Sequence, residues 1–129
     1  MIFLLISLEA SIFDITESYQ VNATIMNCTF QNNLASQSGL VFRSSYMRVN
    51  RNYLQLLNNT FLNNVCNDNG GLFSFVSVSY NISTRNNIYM NNQAKRSGGV
   101  GYIYKSEFLY LEDNGFYYSN NLSDFILSK

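Results

Sequence analysis

The chain has 129 residues, a formal net charge of zero and only 12% charged residues, against roughly a quarter in an average globular protein. That length allows one domain with a real core, and zero net charge removes the long-range field that nucleic acid or an anionic membrane surface would attract. Polarity comes instead from Asn and Ser, while ten Tyr and ten Phe supply apolar mass that a disordered Asn-rich segment lacks.

The chain opens on an apolar stretch, residues 1–8, containing Ile2, Phe3, Leu4, Leu5 and Ile6 and leading to Glu9, Ala10 and Ser11. It fits two readings, a short secretory signal without a basic start or the first strand of an irregular rung, so residues 1–26 are assigned to one or the other. It falls far below the roughly twenty apolar residues that span a bilayer, and Asn, Ser or a charge interrupts every other apolar run. No membrane-spanning segment is expected.

From residue 27 a pattern repeats. Thr29-Phe30-Gln31-Asn32-Asn33-Leu34-Ala35 is followed by Thr60-Phe61-Leu62-Asn63-Asn64-Val65-Cys66 and Ile88-Tyr89-Met90-Asn91-Asn92-Gln93-Ala94, with a weaker copy at Phe116. A glycine corner, anchored at Gly39, Gly71 and Gly99, comes next, and an apolar run starts after each at Leu40, Leu72 and Val100. A period of about 28 residues marks a solenoid, and it is shorter than a propeller blade needs. Asn-Asn and Gly-Gly interruptions exclude a helical stripe, whereas the abundant Tyr, Phe, Val and Ile favour strands.

The fold predicted is all-β: a right-handed parallel β-helix of about four to five rungs roughly 4.8 Å apart, each with three short strands and three turns. The repeats are 27–57, 58–85, 86–112 and a partial 113–129. The last stops short of its Gly-Gly corner and no capping helix is evident, so the segment is expected to be uncapped and to stack on further rungs or on another protein chain.

Stacking places like positions in columns. Ala23, Leu54, Ile82 and Leu109 align, as do Ile25, Leu56, Thr84 and Leu111, while the intervening positions are mostly polar, which is the alternation of a strand with one face inward. Phe30, Phe61, Tyr89 and Phe116 should form an internal aromatic ladder. A buried Asn must have its amide satisfied, and amides one rung apart can bond to each other. At least one of the columns Asn32, Asn63, Asn91 and Asn33, Asn64, Asn92 should therefore be such a ladder, and Asn27, Asn58, Asn86 and Asp113 make a further column. The small residues Ala35, Cys66 and Ala94 follow, so Cys66 should be a buried, inert thiol. Cys28 lies in a different column, which argues against a disulfide between the two.

The strand after the glycine corner has no clear inward phase, because Arg43 aligns there with Phe75 and Ile103. The first repeat is longer than the others, and its surplus near residues 44–52, with Arg48 and Arg51, is expected to form a solvated loop.

The units Phe30-Gln31-Asn32-Asn33-Leu34-Ala35 and Gly70-Gly71-Leu72, with their counterparts, resemble the FxxN and GGA[ILV] repeats of the chlamydial polymorphic outer membrane proteins, within the pectin-lyase-like parallel β-helix class. The resemblance spans about residues 27–103. It implies a large cell-surface protein acting in adhesion. The chain departs from the pattern in having Leu72 and Val100 where a small Ala is usual.

Many β-helices act on polysaccharides, using carboxylates clustered on one face. This chain has no His, and its acids, Glu9, Asp14, Glu17, Asp68, Glu107, Glu112, Asp113 and Asp124, never stack on adjacent rungs in the alignment. Glu112 and Asp113 are adjacent, but consecutive strand positions point to opposite faces. Asp68 and Arg96 align and are expected to pair across rungs. No phosphate loop follows the Gly-Gly pairs, and Lys95-Arg96 is too short a basic run for a nucleic-acid site.

N-glycosylation sequons begin at Asn22, Asn27, Asn58, Asn81 and Asn121. Asn22 and Asn81 share an outward column with Tyr53 and Phe108, so they are the acceptors expected ahead of Asn27 and Asn58. The functional expectation is a non-catalytic structural or adhesive β-helix segment of a cell-surface or secreted protein, with no cofactor and no metal. Further rungs, other chains or surface glycans are its expected partners. The alternative is a fragment of a polysaccharide lyase or glycoside hydrolase whose catalytic rungs lie elsewhere.

Overall fold

The computed structural model describes residues 2–3, 12–16, 22–36, 39–45, 52–76, 80–96, 98–104, 108–112, 115–117 and 125–128. The chain runs through β1 (Ile2–Phe3) and β2 (Phe13–Thr16) into a first complete coil of β3 (Asn22–Met26), β4 (Thr29–Gln31), β5 (Leu34–Ala35) and β6 (Phe42–Ser45). The second coil is β7 (Asn52–Leu57), β8 (Thr60–Leu62), β9 (Val65–Cys66) and β10 (Phe73–Val76). The third is β11 (Tyr80–Arg85), β12 (Ile88–Met90), β13 (Gln93–Ala94) and β14 (Gly101–Tyr104). A further level holds β15 (Phe108–Glu112), β16 (Gly115–Tyr117) and β17 (Phe125–Ser128).

Equivalent strands of successive coils lie side by side in four sheets. The entry sheet is β3-β7-β11-β15, the aromatic sheet β1-β4-β8-β12-β16, the small-residue sheet β5-β9-β13 and the closing sheet β2-β6-β10-β14-β17. All pairings are parallel. The molecule is an all-β parallel β-helix, and β1 places Ile2 and Phe3 against Thr29 and Phe30 as one more level of the aromatic sheet.

Each complete coil has four strands rather than the three expected from the period. The reason is a second left-handed corner. Asn27, Asn58 and Asn86 end the entry strand with φ of 53–54°, and Asn32, Asn63 and Asn91 end the aromatic strand with φ of 53–55°. Asn is among the few residues that enter this region at low cost, because its short amide bonds locally. Two such corners per coil divide what reads as one long β-segment.

The entry sheet has the expected register: Ala23 beside Leu54 beside Ile82 beside Leu109, and Ile25 beside Leu56 beside Thr84 beside Leu111. Ile25, Leu54, Leu56, Ile82 and Thr84 are buried, and the residues between them face outward. In the aromatic sheet, Phe30 and Phe61 stack with ring centroids 5.1 Å apart and planes within 6°, and Phe61 and Tyr89 with 5.0 Å and 4°. Phe116 follows Tyr89 in backbone register. Phe73, from the closing sheet, meets Phe61 edge-on at 5.4 Å.

The closing sheet corrects the sequence alignment by one residue. The left-handed glycines are Gly39, Gly70 and Gly98, with φ of 71°, 64° and 70°, so the equivalents of Gly39 are not Gly71 and Gly99. Gly71 is needed for another reason: a Cβ there would collide with the Gly99 carbonyl oxygen of the next coil. With Gly39 set beside Gly70, Arg43 pairs with Ser74 and Tyr102, while Ser44 pairs with Phe75 and Ile103. A one-residue slip exchanges the two faces of a strand, which is why the inward phase was illegible. Phe42, Ser44, Phe73 and Phe75 are buried, and Arg43 is partly exposed. Arg48 and Arg51 lie outside the described residues.

Candidate functional site

The residues that recur most strictly are the asparagines, and the geometry divides them into two kinds. At each left-handed corner the first residue faces solvent and the next turns inward. The inward turn leaves a backbone N–H out of the regular ladder. A buried N–H must find a partner, and the amide of the following coil supplies it.

Asn33 donates its backbone N–H to Asn64 Oδ1 at 3.1 Å, and Asn64 donates to Asn92 Oδ1 at 3.2 Å. The side chains repeat the link, with Asn33 Nδ2 to Asn64 Oδ1 and Asn64 Nδ2 to Asn92 Oδ1 both at 2.8 Å. The remaining amide hydrogens go back one coil, from Asn64 Nδ2 to the Phe30 carbonyl at 3.0 Å and from Asn92 Nδ2 to the Phe61 carbonyl at 2.9 Å. This is the expected buried ladder.

The column Asn32, Asn63, Asn91 is a looser ladder on the outside, with Nδ2 to Oδ1 distances of 3.3 Å and 3.2 Å.

A second buried ladder stands at the other corner, one residue beyond the column singled out in the sequence. Cys28 donates its N–H to Asn59 Oδ1 at 3.0 Å, and Asn59 donates to Asn87 Oδ1 at 2.9 Å. Asn59 Nδ2 bonds Asn87 Oδ1 at 3.0 Å and the Ile25 carbonyl at 2.8 Å, and Asn87 Nδ2 bonds the Leu56 carbonyl at 2.9 Å. Asn27 and Asn58 are exposed instead, their amides 3.4 Å apart. Two adjacent residues recurring as Asn in successive repeats were the available signal. Cys28 obscures it by taking the Asn position in the first coil, where its thiol donates to the Met26 carbonyl at 3.2 Å.

Among the ionisable groups, Arg96 and Asp68 pair across coils at 3.1 Å as the alignment required, and Arg43 and Asp14 approach to 3.8 Å. Arg96 is largely exposed, so solvent screens the first contact to a minor role. Glu112 is in backbone register with Arg85, and Asp113 lies outside the described residues. Among the described residues no group of three or more His, Cys, Asp or Glu could hold a metal ion. Cys66 is buried between Ala35 and Ala94 in register, and burial raises its thiol pKa. Cys28 and Cys66 are not joined in a disulfide. Tyr89 is fully buried, and loss of solvent pushes its hydroxyl far above the usual range; the neighbouring Thr84 hydroxyl acts the opposite way and is the smaller influence.

The outer face of the entry sheet carries side chains that vary from coil to coil. Asn22, Tyr53 and Asn81 form one register column, Thr24, Gln55 and Ser83 the next, and Met26, Leu57 and Arg85 the third. Asn22, Tyr53 and Asn81 are exposed, whereas the sequon at Asn121 lies outside the described residues. No family model, no curated protein and no solved structure matches this chain.

Proposed function

We propose that this chain is a non-catalytic scaffold, a structural or adhesive β-helix segment of a cell-surface or secreted protein. One observation carries the reading. The residues that repeat are consumed within the coils, Asn33, Asn64 and Asn92 by amide bonding and Phe30, Phe61 and Tyr89 by stacking, while the outward columns of the entry sheet place a different residue at each successive coil. Such a division suits a rod that holds a variable surface in place. The FxxN and Gly-Gly repeats, which resemble those of polymorphic outer membrane proteins of the right-handed pectin-lyase-like class, support the same reading.

The test pairs two assays on the purified chain, binding to an array of surface glycans and release of reducing sugar from polysaccharides. Binding without release is the expected result. Sustained sugar release that tracks the folded protein would replace this reading with that of a carbohydrate-active enzyme.

A further inference from the structure

We propose that Asn22 and Asn81 carry N-linked glycans whose first sugar packs against the Tyr53 ring, so that the outer face of the entry sheet is covered by the protein's own carbohydrate. The inference rests on the secreted or cell-surface reading above and deepens it.

Three relationships lead there. Asn22 is in register with Tyr53, and Tyr53 with Asn81, on three consecutive coils. All three side chains are exposed, Tyr53 to 40%, while the alternating Leu54 and Ile82 are buried. Both sequons, Asn22-Ala23-Thr24 and Asn81-Ile82-Ser83, lie within strands, so the acceptor and the hydroxyl two residues on share the outward face. The two acceptors are therefore about 10 Å apart with an exposed ring between them. That separation leaves room for a sugar on each, and the ring offers both an apolar platform.

Asn27 and Asn58 contrast with them. They sit on adjacent coils, about 4.8 Å apart, and their amides bond to each other at 3.4 Å, so a sugar on one displaces its neighbour.

In the reaction, Nδ2 of Asn22 or Asn81 forms a bond to C1 of the reducing-end sugar of a lipid-diphosphate-linked oligosaccharide. The amide loses one proton, the sugar–phosphate bond breaks, and the lipid diphosphate leaves with its electron pair.

To test this, the full chain is sent through the secretory route of a eukaryotic host behind a cleavable leader. Glycans are then released enzymatically in heavy-oxygen water, which marks each former acceptor as Asp. Label at Asn22 and Asn81 several-fold above that at Asn27 and Asn58 is expected. Tyr53→Ser should also lower the melting temperature of the glycosylated protein more than that of the enzymatically deglycosylated one. Label confined to Asn27 and Asn58, no label on folded chain recovered from that route, or an equal effect of Tyr53→Ser in both forms would overturn the proposal. Because the route is imposed, the result reports on acceptor geometry. Surface labelling of cells that make the protein natively tests the localisation reading separately.

Discussion

Asn63 and Asn64 are neighbours in the chain and opposite in role. Asn63 takes a φ of 55° and faces solvent, while Asn64 is fully buried and bonds both the coil before it and the coil after it. The two should respond differently to substitution. Asn64→Ala leaves the Asn33 N–H and the Phe30 carbonyl without their amide partner, which should cost about 3–5 kcal/mol and bring most of the chain to unfolding. Asn63→Gly keeps the left-handed corner available and should change stability by less than about 1 kcal/mol, whereas Asn63→Val should cost roughly 1–2 kcal/mol or more. Chemical denaturation of the three variants checks the order.

The aromatic column offers a second prediction. Phe61 is stacked between Phe30 and Tyr89 and is met edge-on by Phe73, so Phe61→Ala should cost about 3–5 kcal/mol through lost transfer energy and the cavity left behind. Phe61→Leu should recover part of that loss. Thermal melts followed by circular dichroism provide the comparison.

Alkaline stability should depend on Tyr89 and Cys66. Burial raises both pKa values above those of the unfolded chain, which lie near 10.0 and 9.0. The unfolded state therefore releases these protons first as pH rises. The contribution of each group is complete below its unfolded pKa and is lost above it. The melting temperature should be flat up to about pH 8.5 and fall beyond it, less steeply in Tyr89→Phe with Cys66→Ala than in the parent. Parallel curves for the two proteins would remove these groups as the cause.

Ser44 holds a fully buried hydroxyl with no hydrogen-bond partner among the described residues, in a register column otherwise occupied by Ile15, Phe75, Ile103 and Leu127. An unsatisfied buried hydroxyl is costly, so Ser44→Ala should be neutral or stabilising by up to about 1.5 kcal/mol. A clear loss of stability in a denaturant titration would mean that the hydroxyl is bonded in solution.

Thiol reactivity gives the least demanding check. Cys28 is partly exposed and Cys66 is buried. A thiol reagent added to the native protein should modify Cys28 first and reach Cys66 only at the rate of unfolding.

Much of the architecture was legible because the coils repeat. Phe30 with Phe61 and Tyr89, Asn33 with Asn64 and Asn92, and Ile25 with Leu56 and Thr84 each occupy the predicted columns. What escaped was conformation that the letters do not carry. A left-handed φ at Asn27 and Asn32 splits each coil into four strands, and the inward residue of the first corner was hidden because Cys28 stands where Asn59 and Asn87 follow. Gly39 was set beside the second glycine of each later pair because its own neighbours are Ser38 and Leu40, and that single step reversed the faces of the closing sheet. Function was harder to read for a physical reason: the repeated residues serve the coil itself, and the outward ones form no pattern that names a reaction.

The ladders also have a direction. Asn59 and Asn64 cap the N–H groups of Cys28 and Asn33 and reach back to the Ile25 and Phe30 carbonyls, so each coil's corners are completed by the coil synthesised after it. A growing chain thus always carries one unfinished storey, sealed only when the next is laid on top. Pausing or truncation during synthesis should strand that storey with bare amides, open to water and to any stray strand that fits.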